Sequence, residues 1–144
     1  MRHPEEPLVW PPHFPPTDRW KKFFIGIRKL GPDLSFFKDL KQQQASRTPD
    51  SMASWHIDTK QGEVLAAICE VLHKIVRWKT KVFLPKDEFK VILYGPKFQS
   101  MYEPEIAIWE IERRLRIRMA ESFWESTEHL TLQEVVNRLA DEIR

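Results

Sequence analysis

At 144 residues, 42% hydrophobic and 31% charged, the chain is long enough to bury one core without a disulfide framework, and its six Trp and nine Phe exclude a disordered composition. The net charge of +2 is too small to imply a nucleic-acid or membrane partner by itself, and the lone Cys69 excludes an intramolecular disulfide. No stretch approaches the roughly 20 apolar residues of a membrane span, and MRHPEEPLVWPPHFPP holds no apolar run of signal-peptide length, so a cytoplasmic protein with no membrane partner is expected.

In chain order, the first element is an arm, residues 1–16, with prolines at Pro4, Pro7, Pro11, Pro12, Pro15 and Pro16. Fixed φ angles and missing amide donors predict an extended or polyproline path, able to lie across a domain through Trp10 and Phe14. Trp20, Phe23, Phe24, Ile27 and Leu30 then recur on one helical face, predicting a helix over about 18–30 that Gly31-Pro32 stops. Leu34, Phe36, Phe37 and Leu40 form a second short apolar set after Asp33, a candidate N-cap. Residues 41–54, rich in Gln, Ser and Thr and broken by Pro49, read as a linker, so 17–60 is expected to be a helical extension and linker.

From Gln61 the pattern sharpens. Val64, Leu65, Ile68, Val71, Leu72, Ile75 and Val76 keep one apolar stripe and predict a helix. Between Lys79 and Tyr102 the periodicity is lost, which predicts a long loop anchored by Val82, Phe83, Leu84, Phe89, Val91, Ile92 and Leu93. Val-Phe-Leu and Val-Ile-Leu-Tyr are alternatively two short strands. Pro104 suits the first turn of the next helix, whose buried face is expected to comprise Ile106, Ala107, Ile108, Trp109, Ile111 and Leu115. After a short segment at Ser122 to Glu125, Thr131 and Glu134 have the spacing of a capping box, and Leu132, Val135, Val136, Leu139 and Ile143 line the last helix.

Helix, long connection, helix, short connection, helix is an order that resembles an acyl carrier protein over roughly residues 62–144. Glu105, Ile111-Glu112, Leu115, Ile117, Met119, Thr131 and Val135-Val136 fall into step with that family's second helix, the turn after it and its Thr-led last helix. The resemblance implies an all-α fold, an acyl-carrier-like helical bundle over 61–144 behind the helical extension and Pro-rich arm. It also implies a serine at the start of the second helix that bears 4′-phosphopantetheine, placed there by a phosphopantetheinyl transferase. Counting back from Leu115 by the family's interval reaches Met101, with Ser100 one residue earlier and Gln99 where the family has an acid. Two readings follow: Ser100 carries the arm, or the module keeps the carrier fold without it and docks a partner protein. The family presents an acidic second helix to its partner enzymes, whereas this one offers Arg113, Arg114, Arg116 and Arg118, so different partners are expected at the Arg113, Arg114, Arg116 face.

Other residues suggest other chemistry. Lys74, Arg77, Lys79, Lys81, Lys86, Lys90 and Lys97 are interleaved with Trp78, Phe83, Phe89 and Tyr94, a mixture that suits single-stranded nucleic acid when the rings are exposed and a solvated loop when they are core anchors. A small basic module binding nucleic acid or protein is the alternative function, although no known nucleic-acid motif accompanies the mixture. Cys69 and His73 share a helical face at metal-ligand spacing, with His56 and His129 the only further recruits, and a buried structural thiol is the plainer expectation. With no Gly-rich phosphate loop and no paired acids facing one another, the expectation is a protein that is not an enzyme.

Overall fold

The computed structural model describes residues 3–9, 34–94 and 103–143, leaving aside the side chains of 34–37, 94 and 103. The protein is all-α, and among the described residues there is no strand. The elements among the described residues are α1 (Leu34–Ala45), a 3-10 helix (Pro49–Ser54), α2 (Thr59–Lys74), α3 (Phe89–Tyr94), α4 (Glu103–Leu115), α5 (Glu121–Ser126), a 3-10 turn (Thr127–His129) and α6 (Leu132–Glu142).

Helix α2 is central and packs against both α4 and α6. Its start is set by Asp58, whose side chain accepts the Gln61 amide while the Gln61 side chain accepts the Asp58 amide. This reciprocal capping satisfies two of the donors that a helix start leaves orphaned. Val64, Leu65, Ile68, Cys69, Val71 and Leu72 are buried along it, which is the stripe expected from their spacing. The helix ends at Lys74, ahead of Ile75 and Val76 of the expected stripe, and the chain turns through Arg77 with a left-handed φ of 78°. Trp78 then folds back into the core and donates its indole N–H to the Ile92 carbonyl at 2.7 Å. At α6 the expected capping box of Thr131 and Glu134 is present, and Leu132, Val135, Val136 and Leu139 are fully buried.

Two expectations need correction, one ahead of α2 and one after it. Residues 41–54 are not a featureless linker, since α1 runs to Ala45 and a 3-10 helix follows from Pro49. Gln43, Gln44 and Arg47 within it are buried: Gln44 and Arg47 bond buried groups, while Gln43 donates to the Glu6 carbonyl at 2.7 Å and its Oε1 is left without a partner among the described residues. Gln44 donates to the Thr80 and Val82 carbonyls at 2.9 and 3.1 Å, and Arg47 reaches Asp87. The 79–102 connection is likewise not wholly a loop, for α3 lies within it. Neither apolar run forms a strand: Val82, Phe83 and Leu84 are buried in an irregular path, and Val91 to Leu93 sit in α3.

Asp87 is the knot of this connection. Its carboxylate accepts two bonds from Arg47 at 2.7 and 2.9 Å and one each from the Leu8 and Leu84 amides at 2.8 Å, with both charged side chains fully buried. Arg47 in turn donates to the Pro4 and Glu6 carbonyls at 2.8 and 2.9 Å. Residues 3–9 therefore lie against the helices, with Leu8 in the core. The helix expected over 18–30, the anchors Trp10 and Phe14, and the cap Asp33 fall outside the described residues.

Candidate functional site

Helix α4 does not bury the whole face expected of it. Ala107 and Ile111 are fully buried, and Ile108 and Leu115 partly so, whereas Ile106 is 48% and Trp109 64% exposed. The reason is geometric: the stripe that meets α2 runs through Ala107 and Ile111, and Ile106 and Trp109 fall on turns pointing away from it.

On the Trp109 side of α4 lies a groove of about 410 Å³, bounded by α3, α4 and α5. Phe89, Leu93, Pro104, Ile108, Trp109 and Trp124 supply its apolar surface. Among the described residues, its charged lining is Glu105, Glu112, Glu121, Glu125 and Glu128 against Lys90. These glutamates have different tasks. Glu112 accepts the Met119 amide at 2.7 Å and the Trp124 indole N–H at 3.4 Å, so it fixes the turn after α4 and seats a groove wall. Trp124 also stacks on Phe89, with ring centroids 6.4 Å apart and planes at 22°, and meets Phe123 edge-on at 5.0 Å. Glu128 accepts from Lys90 Nζ at 3.3 Å. Glu121 and Glu125 are exposed, and among the described residues neither makes an ion pair. A rigid aromatic wall with carboxylates on its rim can hold an apolar group that carries positive charge beside it.

The candidate residues read from the sequence are distributed elsewhere. Ser100 lies outside the described residues, separated from Glu103, where α4 begins, by Met101 and Tyr102. In the arginine set, Arg113 is bound to Glu110, donating from Nη2 at 2.9 Å and from Nε, and this pairing holds the Glu110 carboxyl below its ordinary range. Arg114, Arg116 and Arg118 are exposed. The lysine and aromatic mixture separates into two parts. Trp78, Phe83 and Phe89 are core residues and offer no face to a base, while Lys74 and Lys81 share Glu70 at 2.7 and 2.6 Å. The bonds from both lysines pull the Glu70 pKa down to about 2.

Cys69 is buried, and desolvation, with the Asp87 charge adding to it, pushes its thiol up to about 12, so it is neither nucleophile nor ready metal ligand. His73 Nδ1 lies 2.8 Å from the Trp78 carbonyl. Among the described residues no group of three or more His, Cys, Asp or Glu side chains could hold a metal ion, and no helix is long and apolar enough to cross a membrane.

The groove is not among the features expected from the sequence, which places Trp109 on the buried face of α4. The available signal was the offset of Trp109 from the Ala107 and Ile111 stripe, together with an aromatic pair, Phe123-Trp124, set among acids in ESFWESTEH. Fold and site together define an all-α module with an aromatic, acid-rimmed groove open to solvent. No protein-family model, curated protein or solved structure matches the chain.

Proposed function

We propose that this chain is a non-catalytic, acyl-carrier-like protein that acts by docking a partner protein on the groove side of α4. The order α2, long connection, α4, short α5, α6 supports the carrier-like part of the reading. The observation that carries the docking part is the groove beside α4, with Trp109 left largely in solvent at its edge. An exposed indole at the margin of an apolar groove loses unfavourable contact with water when a partner covers it, and such residues concentrate binding energy.

The form with 4′-phosphopantetheine on Ser100 has less chemical support. A phosphodiester at a helix start relies on free amides and the positive end of the helix dipole. Here Pro104, in the first turn of α4, has no amide to offer. The chain's own chemistry at this end of α4 therefore fits the group poorly, and docking without the arm is the favoured form.

Intact mass after coexpression with a broad-specificity phosphopantetheinyl transferase separates the two forms. The expected result is an unmodified chain. A mass gain of one phosphopantetheine, abolished by Ser100→Ala, would establish the carrier form instead.

A further inference from the structure

The geometry points to a particular partner chemistry: the groove between α3, α4 and α5 takes a protein segment that combines aliphatic side chains with flanking lysines or arginines. This inference rests on the docking half of the proposed function and takes nothing from the modification of Ser100.

Charge decides the occupant. Among the described residues, five glutamates and one lysine line the groove. Lys90 is engaged with Glu128, and Glu112 is committed to the Met119 amide and the Trp124 indole. Glu121 and Glu125 remain on the exposed rim, where a cationic side chain gains attraction without the cost of full burial. An anionic segment laid on the same floor would meet this rim with like charge, which costs affinity and slows encounter. The floor selects the rest of the partner. Leu93, Ile108 and the Trp124 ring offer apolar surface, and about 410 Å³ accepts a row of side chains from one face of a segment. The largely exposed Trp109 ring also attracts guanidinium or ammonium groups that approach from the rim.

Two sources within the chain have matching chemistry. Residues 19–30 place Arg19, Lys21, Lys22, Arg28 and Lys29 among Trp20, Phe23, Phe24 and Ile27, and a second copy offers the Arg114 to Arg118 end of α4. The occupant is a separate partner protein, and each of the three gives a different result in solution.

The probe is a fluorescein-labelled synthetic amphipathic peptide of leucine and lysine, titrated by anisotropy with the full chain at low salt. Saturable binding is expected, weakened about tenfold by Trp109→Ala, the scale of a single aromatic anchor. Joint replacement of Glu121→Gln and Glu125→Gln should weaken it severalfold and flatten its salt dependence, with circular dichroism showing each variant folded. Absence of binding, or binding indifferent to all three changes, overturns the proposal. So does equal binding of a leucine and glutamate peptide. If that acidic peptide binds and depends on Arg114 and Arg116, docking by α4 survives and moves to the arginine end, while the groove assignment fails. Tighter probe binding after joint Lys21→Gln, Lys22→Gln, Arg28→Gln and Lys29→Gln replacement would assign the groove to the chain's own segment. Probe-induced dissociation of a dimer would assign it to a second copy.

Discussion

Asp87 shows how much one residue can organise when its charge is buried. Two bonds from Arg47 and two from the Leu8 and Leu84 amides satisfy its carboxylate away from water, and its own carbonyl accepts the Leu132 amide at 2.8 Å. A buried pair of this kind stabilises little relative to apolar packing, yet removing one partner strands the other charge. Asp87→Leu is therefore expected to lower unfolding free energy by about 3–5 kcal/mol, measured by urea titration. The double variant with Arg47→Met should recover only part of that loss. The Leu8 and Leu84 amides would still lack their acceptor, and a buried donor without a partner costs about 1–3 kcal/mol. Full recovery would mean that the ion pair alone, not the backbone bonds, carries the penalty. None of this was legible in the sequence. Asp87 sits in PKDEFK and Arg47 in ASRTPD, both ordinary solvated compositions, and only the fold brings residues so far apart in sequence together.

At the scale of elements, what could be read depended on whether local and tertiary preferences agree. The apolar stripe of α2 and the Thr131–Glu134 box of α6 are local signals, and both elements form where those signals lie. The Asp58–Gln61 box is equally local and could have been read from DTKQ. Helix α3 is the opposite case. FKVILY is rich in β-branched and aromatic residues that favour strands, but its first amide donates to the Leu130 carbonyl and the Ile92 amide to the Glu88 carbonyl, at 3.0 and 3.2 Å. Packing on α4 and the Thr127–His129 turn overrides the intrinsic preference. The end of α4 leads to a prediction of its own. The Arg116 amide bonds to the Arg113 carbonyl at 3.3 Å and the Ile117 amide to the Glu112 carbonyl at 3.0 Å, with Arg116 at a φ of 55°. These two bonds form the Schellman closure, in which the left-handed position favours glycine. Arg116→Gly should raise stability by about 1 kcal/mol, seen as a higher urea midpoint at unchanged slope, because an L side chain is strained there. An unchanged or lower midpoint would show that the Arg116 side chain contributes more than its backbone costs.

Across the whole molecule, the described N-terminal residues and the helices after them share one core. Leu8, Leu40 and Trp55 belong to the same buried cluster as Val64, Phe83, Ile111 and Leu139. The Leu8 carbonyl accepts the Glu88 amide at 2.9 Å, next to the isolated bridge between Glu88 and Thr131, so the strap reaches the point where α6 begins. Trp55 closes the same side, donating its indole N–H to the Phe83 carbonyl at 2.7 Å. If the strap were a separate adornment, truncating Leu8 would loosen only residues 3–9. Because its side chain fills a place in the common core, Leu8→Ala should lower global stability by about 2–5 kcal/mol, in one cooperative urea transition. Hydrogen exchange should then accelerate in α2 and α6 together with the strap, since amides that open only by global unfolding all follow the same free energy. Acceleration confined to the strap would mean that the helices hold their core without it. The groove lies on α3, α4 and α5, and Leu8 is not among the residues that line it. The Leu8→Ala variant, kept below its unfolding midpoint, should therefore bind the leucine and lysine peptide with unchanged affinity, which separates what holds this fold from what the groove recognises.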